Sequence, residues 1–390
     1  MRRSSLTLLG VVVVLVGCGA RTSLDVDENE GGGGSQNEGG GGSNVGPSVC
    51  PAFGDATVDI TQTVQFMGNI ASAGCSFGAT WAENQNGSVM IVATTFQVVD
   101  GTWQSSAVVT LGPQGGANNT PEITWDGSSY VIAWVDERLF LQRMTEEGTL
   151  VGAPVSSFEA PGNVYLHWLQ PAPDGSLRIG ISSDTGGGGY ELFFARVTGD
   201  GGVAVPPVQL TSAENTDIVG FAGGQGTNTV LWTTRIAQDS DVVSTTFDDA
   251  GNIVAETNPL LTLPDLFVSR HGAVELDGET YFSVLRYGEP GELIFGRATD
   301  SFAPIGGAIG GDVPVVAATQ NGLIGIVARK ERSTAYEELE LSVVDGDTIT
   351  STIGVPIATT SYTYVMAGGE EAFGILAATQ TGLAFTARRP

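Results

Sequence analysis

Short apolar runs recur along the chain from residue 72 onward, and a glycine opens each of them. The clearest copies begin at Gly127, Gly226 and Gly278, and weaker copies begin at Gly87, Gly175, Gly322 and Gly369. Successive copies lie about 47 residues apart on average, and a fixed period of this size indicates a repeat architecture. The runs are short and rich in β-branched and aromatic residues, so each predicts a β-strand.

A further apolar run follows in several copies and carries an arginine near its end, as in residues 139–145, 192–198 and 293–299. A turn comes next, at 147–148, 200–201, 249–251 or 345–346. Glycine in these turns supplies the positive φ angle that tight hairpins need. A fourth short strand follows the turn, so each repeat predicts four antiparallel strands.

Four antiparallel strands in about 40–50 residues are typical of a β-propeller blade. We therefore predict an all-β fold, a propeller of seven four-stranded blades, with six or eight blades left open. The last copy, residues 361–390, has room for three strands. The alternating stretch 56–66 is predicted to supply the fourth strand and close the ring, which removes the free sheet edges. A β-solenoid or a pair of sandwiches is the rival architecture.

Composition narrows the class of protein. The chain has 390 residues, with 16 Lys and Arg against 43 Asp and Glu, for a formal charge of −27. A nucleic-acid-binding protein needs a basic surface to neutralise phosphates, so this balance argues against one. Hydrophobic residues make up 41% of the chain, which is enough for a packed core and argues against disorder.

The N-terminus predicts export and lipidation. Arg2 and Arg3 precede an apolar stretch, residues 6–17, that is shorter than the roughly 20 residues a membrane-spanning helix needs. It is typical of a cleaved signal peptide. Residues 15–18, Leu-Val-Gly-Cys, resemble the lipobox of bacterial lipoproteins. The resemblance implies cleavage before Cys18 and acylation of Cys18, and Gly19 after it implies the outer membrane. An ordinary secretory signal is the alternative.

Residues 18–48 predict a tether. They hold two Gly-Gly-Gly-Gly-Ser blocks interspersed with acidic residues, a composition that gives a flexible, extended coil. The predicted organisation is a signal peptide over 1–17, a lipidated cysteine and acidic tether over 18–48, and a propeller over 49–390. This layout resembles predicted bacterial lipoproteins in which a Gly-rich tether leads into an uncharacterised propeller, and the resemblance implies no catalytic residues.

Cys50 and Cys75 are the cysteines left after lipidation of Cys18. In an oxidising compartment such a pair predicts a disulfide, here between the start of the domain and its first repeat. A pair of reactive or metal-binding thiols is the alternative. His167 and His271 have no partner at ligand spacing, so no metal site is predicted. A carboxylate-lined channel could still hold Ca²⁺, although the chain has no calcium-loop motif.

In β-propellers, the loops between the second and third strands of the blades gather at one end of the central channel. In this chain the predicted loops of that type are rich in arginine. These loops predict a candidate binding rim for an anionic ligand such as an acidic sugar. The rim residues are Asp136, Arg138, Asp184, Arg235, Asp239, Arg286, Glu289 and Arg332. Solvated pairs of neighbouring opposite charges are the alternative, and they contribute under about 1 kcal/mol each. Residues 182–186 also faintly resemble the Asp-box of sialidases, a structural turn.

These observations predict an outer-membrane lipoprotein, on the periplasmic or cell-surface side, whose monomeric propeller is a non-catalytic binding or scaffold module. The predicted partner is an envelope protein or a glycan, in addition to the membrane that holds the lipid. A glycan hydrolase or lyase that uses Asp136, Asp184 or Asp239 is the alternative function, because paired carboxylates carry out such chemistry. A structural surface protein without a specific ligand is the third hypothesis.

Overall fold

A computed structural model describes most of the chain from residue 50 to the C-terminus. The described ranges are 50–114, 120–159, 163–184, 190–211, 217–224, 226–236, 239–256, 259–264, 266–267, 272–286, 292–298, 302–304, 312–329, 337–346, 348–359 and 363–390. The predicted signal peptide, Cys18 and the tether lie outside them. Within these ranges no helix is long and apolar enough to cross a membrane.

The described residues form 31 β-strands, in agreement with the all-β fold that the short β-branched and aromatic runs of the sequence predict. In chain order they are β1 (Val58–Ile60), β2 (Val64–Ser72), β3 (Phe77–Gln85), β4 (Ser88–Val99), β5 (Thr102–Ser105), β6 (Val109–Pro113), β7 (Glu122–Trp125), β8 (Tyr130–Asp136), β9 (Arg138–Met144), β10 (Leu150–Glu159), β11 (Asn163–Pro171), β12 (Leu177–Asp184), β13 (Tyr190–Val197), β14 (Val203–Gln209), β15 (Asp217–Gly223), β16 (Thr227–Ile236), β17 (Asp239–Asp248), β18 (Ile253–Glu256), β19 (Leu261–Pro264), β20 (Leu266–Phe267), β21 (Ala273–Leu276), β22 (Glu279–Arg286), β23 (Glu292–Ala298), β24 (Phe302–Pro304), β25 (Asp312–Ala318), β26 (Ile324–Arg329), β27 (Glu337–Asp345), β28 (Thr348–Thr359), β29 (Tyr364–Gly368), β30 (Phe373–Ala378) and β31 (Leu383–Arg388).

The strands form seven antiparallel sheets, which we call blades I to VII. Blades I to VI hold β2–β6, β7–β10, β11–β14, β15–β19, β20–β24 and β25–β28, and blade VII holds β29–β31 together with β1. The first strand of each blade contacts the first strand of the next, and β29 of blade VII contacts β2 of blade I. The chain is therefore a seven-bladed β-propeller, as the repeat predicts.

The N-terminal strand closes the ring. Strand β1 pairs with β31 in the register Val58 to Phe385 and Ile60 to Leu383, so the chain's beginning completes its last blade. The predicted strand over 56–66 is nevertheless two strands. Only its first part belongs to blade VII, and Val64 already starts β2, the innermost strand of blade I.

One predicted copy of the repeat is out of phase. Gly127, Gly175, Gly226, Gly278 and Gly322 all have positive φ angles in the hairpin that joins a blade's first two strands. Gly87 instead lies in the hairpin between β3 and β4, the second and third strands of blade I. The equivalent glycine of blade I is Gly74, whose φ angle is 83°.

Neighbouring blades pack through a repeated contact between a glycine and an aromatic ring. A Cβ atom added at Gly78, Gly325 or Gly374 would lie 2.5–2.7 Å from a ring carbon of the next blade. The pairs are Gly78 with Tyr130, Gly325 with Phe373, and Gly374 with Phe77. All three rings are almost completely buried. Blade spacing at these points therefore requires a residue without a side chain.

Replacing Gly374 with alanine should lower the free energy of unfolding by about 1–3 kcal/mol, because the added methyl group overpacks the Phe77 ring. Gly354, in the outermost strand of blade VI, is the matched control, since no atom lies within 4 Å of its added Cβ. Gly354→Ala should be neutral or stabilising by up to about 1 kcal/mol. Denaturant unfolding of both variants measures the difference, and equal effects would contradict the packing argument.

Candidate functional site

The two ends of the propeller differ in the connections they carry. The hairpins between first and second strands, such as 73–76 in blade I, lie at one end, which we call the hairpin end. The described connections between second and third strands, at 86–87, 137 and 379–382, and the described connection from blade VII to blade I, at 61–63, lie at the opposite end, which we call the loop end.

A cavity of about 730 Å³ opens at the loop end, where blade VII meets blade I. We call it the closure cavity, because the strand that closes the ring leads into it. It is lined by Thr61, Gln62, Thr63, Val64, Gln65, Phe66, Met67, Thr120, Thr363, Ala378, Thr379, Gln380, Thr381 and Gly382. Its volume lies within the roughly 300–1,000 Å³ common for small-molecule pockets.

Two copies of the tripeptide Thr-Gln-Thr meet in this cavity, at 61–63 and 379–381. Pairing of β1 with β31 places them side by side, and the backbone of Gly382 lies against Ile60 and Gln62. The Thr379 N–H donates to the Gly382 carbonyl at 2.8 Å, which closes the turn that carries the second copy. The two ends of the propeller domain thus contribute the same side chains to one site.

Gln62 is a lining residue whose side-chain amide oxygen lacks a hydrogen-bond donor among the described residues. This oxygen is buried, and a buried carbonyl oxygen normally has a donor. Protein atoms enclose this oxygen, so the side-chain amide must rotate toward the cavity before a ligand can donate a hydrogen bond to it.

The described lining is uncharged. Nine of its fourteen residues are Thr or Gln, and none is Asp, Glu, His, Lys or Arg. Hydrolysis of a glycosidic bond by paired carboxylates needs two acids on either side of the bond, and the described lining offers neither. The arrangement is suited to binding through neutral hydrogen bonds.

The structure describes the side chains of two of the eight predicted rim residues. Asp136 and Arg138 flank Glu137, which takes the positive φ angle of a tight turn at the loop end of blade II. Arg138 donates to the Ser157 carbonyl of its own blade at 3.2 Å. Asp184, Arg235, Asp239 and Arg286 lie in described strands, but their side chains are not described. Glu289 and Arg332 lie outside the described residues.

The arginine that marks the third strand of a repeat has a structural role at the hairpin end. In three blades it pairs with an acid at the first hairpin of its own blade. The pairs are Arg143 with Asp126, Arg196 with Asp174, and Arg297 with Glu279. The Ser176 hydroxyl and N–H donate to Asp174, and with Arg196 they lower the pKa of that carboxyl to about 2. These ion pairs stabilise the hairpins, and none of their residues lines the closure cavity.

The predicted disulfide between Cys50 and Cys75 is present, with their Cα atoms 5.2 Å apart. A carboxylate oxygen of Glu370 lies 3.7 Å and 3.6 Å from the two sulfurs. These three residues are a grouping of potential metal ligands in the described part of the chain, but both sulfurs belong to the disulfide.

His167, in the first strand of blade III, hydrogen-bonds through Nε2 to the Ser182 hydroxyl at 2.6 Å.

Comparison with known proteins supports the fold at the level of architecture. No protein-family model matches the sequence, and no curated protein is significantly similar to it. Among solved structures, a polysaccharide lyase of family PL25, an ulvan lyase, aligns with a TM-score of 0.56 at 9% identity, over 84% of this chain and 94% of its own. A protein of unknown function from Dyadobacter fermentans aligns with a TM-score of 0.50 at 11% identity, over 85% and 97%.

A puromycin-hydrolysing peptidase from Mycobacterium tuberculosis aligns with a TM-score of 0.52 at 11% identity, over 84% of this chain and 52% of its own. At these identities the likeness concerns the propeller fold alone.

Proposed function

We propose that this protein is an envelope lipoprotein, anchored by acyl groups on Cys18, whose propeller binds a partner without catalysis. In this proposal the loop end is presented away from the membrane. The observation that carries it is the point at which the chain enters the propeller. Cys50 is bonded to Cys75 in the first hairpin of blade I, so the chain enters at the hairpin end, opposite the closure cavity.

Several contacts fix this entry point. Beyond the disulfide, Phe53 packs edge-on against Trp103 with ring centroids 5.0 Å apart, and the Gly54 N–H donates to the Gly101 carbonyl. The chain then runs as β1 from the hairpin end to the loop end. A tether that joins Cys18 to Cys50 therefore connects the lipid to the hairpin end. A flexible acidic tether would keep the domain off the headgroups.

Binding is favoured over chemistry by the neutral lining of the closure cavity. The ulvan lyase in the comparison indicates that propellers of this shape can serve glycan-directed proteins. A hydrolase or lyase is the weaker candidate, because no described residue of the lining is a carboxylate. Asp136, Asp184 and Asp239 belong to three different blades.

The anchor and the orientation can be tested separately. Cys18→Ser should release the protein from membrane fractions, and its retention there would refute the anchor. For the orientation, a fluorophore is attached to Asp200→Cys at the hairpin end or Thr381→Cys at the loop end of the lipidated protein in vesicles. Both positions are exposed. A headgroup-attached acceptor that quenches by long-range energy transfer should dim the label at position 200 more strongly, and equal or reversed quenching would refute the orientation.

A further inference from the structure

The closure cavity offers hydrogen-bonding groups that both donate and accept. Threonine hydroxyls and glutamine amides each have this double capacity, and they supply nine of the fourteen described lining residues. Sugar hydroxyls have the same double capacity. A carboxylate, phosphate or ammonium ligand would instead call for a side chain of opposite charge, which the described lining does not have.

We infer that the closure cavity binds an uncharged, hydroxyl-rich glycan. This inference rests on the proposed function, since it names the class of ligand that the binding module takes. It differs from the sequence-based prediction of an acidic sugar at a cationic rim, because it concerns another part of the loop end and the opposite electrostatic character.

Gln62 provides the most specific argument for a donor on the ligand. Its amide oxygen is enclosed by protein atoms and has no donor among the described residues. Leaving such an acceptor unsatisfied costs free energy, and rotation of the side-chain amide into the cavity would let a ligand hydroxyl recover it by donating to the oxygen. A hydroxyl can accept from the neighbouring threonines at the same time.

The lining also contains apolar residues. Val64, Phe66 and Met67 follow the first Thr-Gln-Thr copy and line the same cavity, while their side chains pack into the cores beside it. Pyranose rings present C–H groups on their faces and hydroxyls at their edges, so a lining that mixes apolar and neutral polar groups suits them. Ligand pockets in general combine apolar walls with a few polar groups that fix orientation.

The paired tripeptides indicate a short chain of sugars. Two copies of the same donor and acceptor set, one from each end of the propeller domain, lie side by side in a volume of about 730 Å³. Two successive units of a glycan can each engage one copy. A single monosaccharide would leave one of them unused.

The test is calorimetric titration of the full mature chain with linear hexasaccharides of glucose, mannose and N-acetylglucosamine, and with oligogalacturonate as the acidic counterpart. A neutral hexasaccharide should bind with an affinity that changes less than about twofold between low and high salt, since no ion pair forms. Gln62→Ala and Gln380→Ala should each weaken binding by about tenfold, as expected for loss of a hydrogen bond.

Gln104→Ala, an exposed glutamine on the outer part of blade I, is the matched control and should bind as the wild type does. Thermal unfolding confirms that each variant is folded. Neutral-glycan binding unaffected by the two cavity variants would overturn the assignment to the cavity. Salt-sensitive binding of oligogalacturonate alone would overturn the uncharged class. Absence of binding to every probe would overturn the glycan inference, whereas the proposed function is decided by the anchoring and quenching results.

Discussion

Replacing Arg178 with alanine is expected to lower the free energy of unfolding by about 2–4 kcal/mol, because a buried guanidinium and its hydrogen bonds to a partly buried carboxylate are lost. Arg178 is only 2% exposed. Its Nε donates to one carboxylate oxygen of Asp249 at 2.8 Å and its Nη2 to the other at 3.1 Å. Asn228 donates to the same carboxylate at 3.0 Å.

The pair joins two blades. Arg178 lies in β12 of blade III, whereas Asp249 follows β17 of blade IV. Without the guanidinium, the carboxylate of Asp249, which is 24% exposed, would keep the Asn228 bond and lose both of its bonds to arginine. Urea unfolding monitored by tryptophan fluorescence measures the loss. Arg297→Ala is the matched control, because its partner Glu279 is 47% exposed and solvated pairs contribute under about 1 kcal/mol. Equal losses in the two variants would contradict the role of burial.

The same pair gives the stability a pH dependence. Burial alone would raise the pKa of Asp249, but hydrogen bonds from Arg178 and Asn228 and the nearby guanidinium charges outweigh it and lower that pKa. A lowered pKa in the folded state stabilises the protein above the unfolded pKa of about 3.9 and ceases to do so as the pH falls through the folded value. The stability advantage of the wild type over Asp249→Asn should therefore shrink below about pH 4.

The architecture could be predicted from the sequence because its signals are local. A glycine with a positive φ angle followed by a short apolar run marks one hairpin in nearly every blade, and the period then gives the number of blades. The misplaced copy at Gly87 has the same explanation. The turn between β3 and β4 also has a positive-φ glycine, with φ of 88°, followed by an apolar strand, so the local signal is identical in the wrong hairpin.

The sequence does not predict the closure cavity, because most of its lining comes from two segments, 61–67 and 378–382, that lie more than 300 residues apart. Its threonines and glutamines carry no catalytic, metal-binding or charge signal, and attention to ionisable residues therefore leads to the loops of other blades. The repeated tripeptide at 61–63 and 379–381 is the one trace in the sequence. It becomes meaningful once ring closure by β1 is known, since closure brings the two copies together.

The repeated arginine of the third strand can be found in the sequence, but its ion-pair partner cannot. The repeat identifies Arg143, Arg196 and Arg297 as equivalent positions, and the structure supplies their partners at the first hairpins. Register explains the pairing. Each arginine lies opposite the second strand near the hairpin that holds the acid, so a single spacing positions charge pairs in several blades.

Replacing both Cys50 and Cys75 with serine is expected to destabilise the propeller by about 3 kcal/mol in the chain-entropy account of a loop this size. The disulfide spans 25 positions and holds the segment that leads into β1. That strand has only three residues paired with β31, so the rest of its attachment depends on the contacts of residues 50–57. In addition to this effect on the unfolded chain, local opening should become easier where blade VII meets blade I.

Hydrogen exchange followed by mass spectrometry distinguishes a local from a general effect. In the double serine variant, amides of β1 and β31 should exchange faster than in the wild type, whereas amides of β8 and β9 in blade II should change less, because cooperative units open separately. Reducing agent should lower the stability of the wild type by the same amount and leave the variant unchanged. Uniform acceleration across all blades would show that the disulfide acts through the unfolded chain alone, with no additional role at the closure.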